Sequence, residues 1–360
     1  MKGSLGGRVL LKKVNVLSMR TGEIRYFHDI LIEDGTILSI DTSEMCALFI
    51  ANGVTSVRNL TGTPMLMEYD REIKKGRKVG PSIYSSGPIY DGAGSSRYKV
   101  INSCRDAEDA VAETIEGGYR WIKTYPEIEP NAYRHLLKTA ARRGIKVCGH
   151  MAKRLDSKEL SDLGYYCCEH VSSMPSHPGD IEYMAKAGMW LCPTHLVCTT
   201  LVDYVWGEKK LSDIPHYRYL PKRNRKQWDK ANEEASTRYR KMNLKPDLSG
   251  IFRPVQRFMA FSDKVITGTD TMYPSLMAGF SLHDELEKMV SVYGMTPYQA
   301  LRSATTQTAL HIGVEDKKGT LAVGLDADIL ILTENPLDDI NNTRAIHAVM
   351  QGRRVYDREA

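Results

Sequence analysis

Four side chains that can bind a metal stand at or near the ends of short apolar runs. They are Lys123, His150, His170 and Asp270, in YRWIKTY, IKVCGH, YYCCEH and KVITGTD at residues 119–125, 145–150, 165–170 and 264–270. Such runs are typical of buried strands, and helix-like segments separate three of them. Strands that alternate with helices predict a parallel sheet, and closed parallel barrels carry catalytic groups at the carboxyl ends of their strands. The spacing therefore predicts a metal site at one end of a barrel.

A single buried His or Asp is more often a core or capping residue than a ligand. Four of these positions at equivalent strand ends favour a functional interpretation, because metal sites gather imidazoles and carboxylates on facing elements. A different chemistry is also open to Lys123, whose amine could form a Schiff base with a carbonyl substrate. That alternative leaves the two imidazoles and the Asp270 carboxylate without a role.

Size, charge and cysteine content exclude several classes of protein. A chain of 360 residues can bury a large core and hold one barrel plus a smaller domain. Its 49 basic and 44 acidic residues leave a charge of only +5, so neither nucleic acid nor an anionic membrane is predicted as a partner. The expected partner is a small-molecule substrate, and a homo-oligomer stays open. The seven cysteines show no CxxC spacing, and no run approaches the roughly 20 apolar residues of a membrane span, so a soluble cytoplasmic protein is expected.

The two ends of the chain differ in pattern from the middle. RVLLKKVNVL and DILIEDGTILSI predict a small amino-terminal sheet, with a hairpin turn at Asp34-Gly35. GTLAVGLDADILILTENP and AIHAVMQGRRVY have the same β-rich character, with a turn at Gly352-Arg353. We predict that residues 1–42 and 317–360 form one composite β-sandwich domain and that residues 43–316 form the barrel.

Within the barrel, residues 106–118 and 131–144 are predicted helices. The first has an acidic start, and the second has an apolar stripe at helical spacing followed by Gly144. Residues 199–257 then interrupt the alternation with a polar and basic segment. Insertions at this face of a barrel often form lids, although a helix with a solvated basic face is the favoured alternative.

The segments WIKTY, CGHMA, CCEHVSS and ITGTDTMYP, together with residues 279–340, resemble the amidohydrolase superfamily, specifically its imidazolonepropionase-like branch. The resemblance covers nearly the whole chain. It is most specific in the last hundred residues, where an Ala-rich helix, turns at Gly319 and Gly324 and a strand beginning at Ala327-Asp328 follow one another. The resemblance implies a (β/α)8 TIM-type barrel with a composite β-sandwich made from both termini.

The resemblance also implies a reaction. Lys123 would be carboxylated and bridge two divalent metals, most often Zn, because a carbamate offers two anionic oxygens. His150 and His170 would bind one metal as neutral imidazoles. Asp270 would bind the other and act as the general base toward water. The implied function is a metal-dependent amidohydrolase that cleaves amide or peptide-like C–N bonds of a small molecule with metal-activated water.

One part of the family pattern is absent. Relatives carry a His-x-His pair at the end of the first barrel strand, and none of the ten histidines here forms one. Between Asp41 and the helix-like residues 47–53 there is no room for such a strand, and His28 belongs to the amino-terminal sheet. We therefore predict a barrel whose first strand is missing, with one metal bound by Lys123, His150 and His170. A catalytically inactive subunit that acts in binding or assembly is the alternative.

Three further residues are candidates for substrate contact. His195, beside Pro193, could reach substrate or only hydrogen-bond the backbone. Tyr125 lies two residues after Lys123 and shares its side of the strand, although a buried ring is the simpler interpretation. His283 lies at the start of a predicted helix, where it could support the site or cap the helix.

Overall fold

The computed structural model describes residues 8–17, 24–33, 36–40, 44–95, 98–207, 209–241, 248, 250–271 and 273–357. Up to Glu44, the backbone alone is described. The turn predicted at Asp34-Gly35 lies outside the described residues.

The described strands alternate with helices through the middle of the chain. The strands are β1 (Arg8–Leu17), β2 (Ile24–Glu33), β3 (Thr36–Ile40), β4 (Ser56–Asn59), β5 (Ser82–Asp91), β6 (Lys99–Val100), β7 (Trp121–Thr124), β8 (Lys146–Gly149), β9 (Cys167–Glu169), β10 (Trp190–Cys192), β11 (Asp328–Leu332), β12 (Ile346–Gln351) and β13 (Arg354–Asp357). The α-helices are α1 (Glu44–Ala51), α2 (Pro64–Lys74), α3 (Cys104–Glu116), α4 (Pro130–Arg142), α5 (Ser157–Asp162), α6 (Pro178–Lys186), α7 (His195–Thr200), α8 (Lys222–Lys241), α9 (Phe252–Met259), α10 (Phe280–Ser291), α11 (Pro297–Ala304) and α12 (Thr306–Ile312).

The central sheet is parallel and curled. Its strand order is β10-β9-β8-β7-β5-β4, and β6 lies beside β5. A helix lies between each two successive strands of this order, as is usual for parallel pairing, whereas a short loop joins β5 to β6. The predicted α/β class and parallel sheet are confirmed.

The prediction of a strand over residues 264–270 needs correction. Only Val265 is bridged, to Leu191 of β10. The Leu191 N–H donates to the Lys264 carbonyl at 3.0 Å, and the Ile266 N–H donates to the Leu191 carbonyl at 2.9 Å. Beyond this bridge no residue of the segment pairs with a described strand, and Asp270 has a φ of +52°. A regular strand needs a ladder of bonds, and none of the described strands pairs with this segment on its other side.

The helices pack an apolar face on the sheet. In α3, Ser103 and Asp106 form a capping box, and the buried face contains Ala107, Ala110 and Val111. In α4, Leu136, Leu137 and Ala140 are buried, and Gly144 ends the helix at a φ of +69°. Both helices match the predicted segments, because spacing, caps and glycine agree.

The curled sheet is open on one side. Within the described part of the chain, β4 pairs with β5 and with no second strand. A cavity of about 740 Å³ lies there, between β4 and residues 266–271. Its wall includes the apolar side chains of Met45, Phe49, Leu60, Leu282 and Leu286.

Each end of the chain forms a three-stranded antiparallel sheet. β1, β2 and β3 form one, and β11, β12 and β13 form the other. The predicted turn at Gly352-Arg353 is confirmed between β12 and β13, with Gly352 at a φ of +59°. The composite sandwich and the domain boundaries stay predictions, because no backbone pairing among the described residues joins the two sheets.

The insertion contains the long helix α8, most of which is exposed. Asn232 and Ser236 donate to the backbone carbonyls of Tyr204 and Val205, which lie in the π-helical turn Leu201–Trp206. A solvated helix is thus present, and a lid function stays a prediction. No helix in the described ranges is long and apolar enough to cross a membrane.

Candidate active site

The ends of three neighbouring strands bring the predicted residues together. Lys123 lies in β7, while His150 and His170 directly follow β8 and β9. The parallel register pairs Lys123 with Cys148 and Cys148 with Cys167, which sets the ends of these strands at similar levels. The centroids of the two imidazole rings are 4.6 Å apart.

The two imidazoles are held in different ways. His170 is buried, and its Nδ1 lies 2.6 Å from the Thr194 hydroxyl, which leaves Nε2 as the nitrogen that can coordinate. The His150 ring lies between His170 and Tyr125, whose centroid is 4.2 Å away. Its buried Nδ1 has no hydrogen-bond partner among the described residues. An unpartnered buried nitrogen is costly in a folded protein unless a ligand completes it.

Both rings are held in the neutral form. Burial, followed by the charge of Lys123, lowers the pKa of His170 to about 4, although Asp270 acts in the opposite direction. Burial and the same lysine hold the pKa of His150 far below its ordinary value. Neutral imidazole is the form that binds metals.

Lys123 is a buried amine, with only 4% of its surface exposed. Its nearest ring contact is Tyr125, with Nζ 5.7 Å from the ring centroid. Across the described ranges, Lys123 forms no ion pair or hydrogen bond. A buried ammonium without a partner is energetically unfavourable, so this position favours a chemically altered or metal-linked lysine.

Backbone strain is concentrated at the site. Among the described residues, five that are not glycine have a positive φ, and His170, Thr194 and Asp270 are three of them. Strained conformations persist where the surroundings enforce them, and they often mark functional sites. The positions of these strained residues therefore indicate the same candidate site as the side chains do.

Asp270 lies across the cavity from β4. It lines the same cavity as Lys123 and His170, and its side chain is exposed. His150 instead lines a second cavity of about 440 Å³, together with Lys153, Asp156 and other polar residues of the neighbouring loops. The His150 ring therefore lies between the two cavities.

The residues fit one metal, provided that lysine contributes. No group of three or more His, Cys, Asp and Glu side chains within the described ranges could hold a metal ion. Two imidazoles are present at the strand ends, so a third protein ligand has to come from Lys123, and only a carbamate makes that amine an anionic oxygen donor. Asp270 shares its cavity with His170 and His283, but the sequence has no His-x-His pair to complete a second set of ligands, so the Asp270 side does not fit a second metal.

A buried ion pair beneath these residues was not predicted. The Arg58 guanidinium of β4 donates two hydrogen bonds to the Glu169 carboxylate of β9, at 2.7 and 2.6 Å. Both side chains are buried, and both line the larger cavity. Burial by itself would raise the pKa of Glu169, but the Arg58 charge and hydrogen bonds hold it well below its ordinary value. The sequence signal for this pair is weak: one charged residue in each of two short strands, SVRN and CCE.

The three candidate substrate residues have different surroundings. Nδ1 of His195, the first residue of α7, lies 3.0 Å from the Tyr293 hydroxyl. His283 lines the larger cavity, and its Nδ1 lies 2.9 Å from the Thr343 hydroxyl. Tyr125 stacks near His150 and Tyr98. Their substrate roles, like the ligand and base roles of the other four residues, stay predictions.

Comparison with known proteins gives a consistent result. The Amidohydrolase family matches residues 15–355. Ochratoxinase from Aspergillus niger is 23% identical in an alignment that covers 86% of this chain and 67% of that protein. The chain also resembles the structure of a putative prolidase from Bifidobacterium longum, with a TM-score of 0.66, 18% identity and coverage of 97% and 94% of the two chains. For the bottromycin amidohydrolase the TM-score is 0.67, with 20% identity and coverage of 98% and 87%. These structural likenesses agree with the curled parallel sheet, and the family match over residues 15–355 shows that the chain belongs to the amidohydrolase family.

Proposed function

We propose that this protein is a metal-dependent hydrolase that cleaves an amide or peptide-like C–N bond of a small molecule. Membership of the amidohydrolase family supports this, as do relatives named ochratoxinase and bottromycin amidohydrolase. The observation that carries the proposal is a buried Lys123 amine beside two neutral imidazoles at neighbouring strand ends. Among the described residues this amine forms no ion pair or hydrogen bond, and Nδ1 of His150 has no hydrogen-bond partner.

Lys123, as a carbamate, His150 and His170 would hold one divalent metal, most often Zn. Three protein ligands with room for water is the usual arrangement of a catalytic zinc. A metal bound there supplies Lewis acidity, which makes hydroxide available near neutral pH and polarises a carbonyl. Thr194 orients the His170 ring, since its hydroxyl holds Nδ1.

Asp270 is proposed as the general base. Its carboxylate takes a proton from the water that attacks the amide carbonyl, and then gives that proton to the departing amine nitrogen as the C–N bond breaks. The products are a carboxylate and an amine. The side chain is exposed on the cavity, where water and substrate can reach it.

The open side of the sheet supports the proposal that the first barrel strand is missing. β4 and the segment bridged at Val265 face the same cavity, and a closed barrel would place a strand between them. Sequencing of the coding region between Asp41 and Ala47 tests this proposal, because a skipped segment that encodes His-x-His would restore the strand and a second metal position. An uninterrupted transcript and genomic sequence would instead mean that a site with a single metal is the native one.

The absence of a His-x-His pair favours one second candidate: an inactive subunit that acts in binding or assembly. The hydrolase and the inactive subunit predict different results in an assay of amide hydrolysis. The wild-type protein, supplied with zinc and bicarbonate, should hydrolyse members of a panel of N-acyl amino acids and dipeptides.

The Asp270→Asn variant tests whether Asp270 acts as the general base or as a metal ligand. It should keep the bound zinc and lose roughly 10²- to 10⁴-fold in kcat, the usual contribution of a general base. Asp263→Asn, in an exposed residue that precedes Val265, is the matched control and should leave kcat unchanged. Absence of zinc from the supplemented wild-type protein would contradict the metal site. Bound zinc with no turnover of any panel member would favour the inactive subunit.

A further inference from the structure

The Arg58–Glu169 pair joins strands that are not neighbours in the sheet. β8, β7 and β5 lie between β9 and β4 in the strand order. The two hydrogen bonds of 2.7 and 2.6 Å therefore cross the hollow of the curled sheet. They connect the strand at the open edge with the strand that His170 directly follows.

Stability alone does not explain an ion pair at this place. The interior of a parallel barrel is usually filled by branched apolar side chains. Two charges lose their hydration on burial, and well-packed apolar replacements of similar volume are often equally or more stable. The side chains of Arg58 and Glu169 are only 8% and 2% exposed, so this loss is nearly complete.

The position of Glu169 gives the pair a second consequence. It is the last residue of β9 and directly precedes His170, whose backbone is strained at a φ of +69°. The His170 N–H donates to the Cys192 carbonyl at 2.8 Å, and its ring is held by Thr194. Arg58 thus fixes the residue on one side of His170, and Thr194 fixes the ring itself.

We infer that Arg58 and Glu169 form a positioning pair, which holds His170 at the strand end in the orientation that a metal requires. The bidentate geometry is suited to this, because a guanidinium and a carboxylate that share two parallel hydrogen bonds fix each other's orientation as well as distance. Neither residue touches the reacting atoms. The effect of the pair on zinc affinity rests on the proposed function, whereas its effect on the orientation of the His170 ring does not.

The test replaces the pair by apolar residues of similar length. The double variant Arg58→Met/Glu169→Met should unfold at the same or a higher urea concentration than the wild type, both without metal. Its affinity for zinc, measured by chelator competition, should nevertheless fall at least 10-fold, as is common when residues behind a metal ligand are changed. If the pair had only a structural role, the stability of the double variant and its zinc affinity would change together.

A matched control uses the ion pair of Arg77 and Glu72, in and beside α2. Arg77 donates to the Glu72 carboxylate, whose side chain is 2% exposed, and neither residue belongs to the cavity wall that the structure describes. Arg77→Met/Glu72→Met makes the same chemical change and should leave zinc affinity unchanged. Arg58→Gln/Glu169→Gln keeps polar side chains and replaces the Met variant if that one does not fold.

A second readout needs no metal. Long-range ¹H–¹⁵N spectra of the metal-free protein report the ring nitrogens of His170, assigned with His170→Gln. The signals of both nitrogens should move in the double variant as the Thr194 contact is altered. A double variant with wild-type zinc affinity and unchanged His170 signals would overturn the inference. A wild-type protein that takes up no zinc would contradict the proposed function alone, and the ring signals would then decide on the positioning pair.

Discussion

His311 is a fully buried imidazole, and neither of its ring nitrogens has a partner in the described part of the chain. Its ring packs against Trp121, Tyr166 and Trp190, with centroids 6.1, 4.8 and 5.1 Å away. Burial holds its pKa well below the ordinary value, so the ring is neutral. The ring packs among aromatic side chains, and the charges of Arg58, Glu169 and Lys146 also act on it.

Replacement of this imidazole should stabilise the protein. His311→Leu removes two buried polar atoms that lack partners, which each cost about 1–3 kcal/mol in comparable cases, while some aromatic contact is lost. We expect the free energy of unfolding at pH 7 to rise by about 1 kcal/mol in urea titrations. His347→Leu, at an exposed position of β12, is the control and should change it by less than about 0.5 kcal/mol. A loss of stability in His311→Leu would show that a hydrogen bond or water completes the ring.

At this scale the sequence predicted where the chemistry is located but not what surrounds it. Lys123, His150 and His170 could be selected because each ends an apolar run, which is a local pattern. Arg58 and Glu169 are 111 residues apart, and their pairing depends on the curl of the whole sheet. The environment of His195 was open for the same reason, since Tyr293 lies 98 residues further along the chain.

Among the elements, α10 and α7 are joined by one carboxylate. Glu285 of α10 accepts hydrogen bonds from the backbone N–H groups of His195 and Leu196, at 2.7 and 3.0 Å. These groups begin α7, where a helix leaves N–H donors without internal partners. Burial nevertheless raises the pKa of Glu285 to about 7.

This raised pKa makes stability depend on pH. Below the ordinary pKa of a glutamate, about 4.3, the folded and unfolded chains both carry the proton. Between that value and 7 the folded protein keeps a proton that the unfolded chain has lost, so the free energy of unfolding falls as pH rises, by a few kcal/mol in total. Glu285→Gln cannot ionise and should flatten this slope, measured by urea unfolding at several pH values. Glu287→Gln, in the same helix, should keep the wild-type slope, and an equally steep slope in both variants would contradict the assignment.

Helices were the elements that sequence predicted best. Caps, glycines and apolar stripes in α3 and α4 are local and agree with each other. The prediction of a full strand over residues 264–270 was wrong. Apolar composition favours a strand, but a strand forms only along the edge of a neighbouring strand. Only Leu191 supplies that edge, at one position.

For the whole molecule, the open side of the sheet predicts binding of apolar molecules. The cavity of about 740 Å³ has a size typical of small-molecule pockets and many apolar side chains in its wall. We expect the native protein to bind about one 1-anilinonaphthalene-8-sulfonate per chain, since this dye reports exposed apolar surface. Leu60→Asp, in the cavity wall, should weaken dye fluorescence, whereas Leu337→Asp, at a position 52% exposed, should not. A native protein that leaves the dye dark would mean that the cavity is filled in solution.

The α/β class and the parallel order of the sheet followed from the alternation of strands and helices, which is visible in one sequence. Closure of a barrel is a property of all strands together. The absence of a His-x-His pair predicted that the first barrel strand is missing, and the described sheet is open beside β4. Substrate specificity depends on loop and cavity shape, which a strand-and-helix pattern does not contain.

The left-handed backbone at His170, Thr194 and Asp270 has a consequence for protein engineering. Residues held in this region cost of order 1–3 kcal/mol each, so selection for heat resistance would favour glycine or asparagine at these positions. The same exchanges would remove an imidazole, the hydroxyl that orients it, or a carboxylate. Thermostability screens of this protein should therefore be paired with an activity screen, because substitutions that relieve this strain would also remove side chains of the candidate active site.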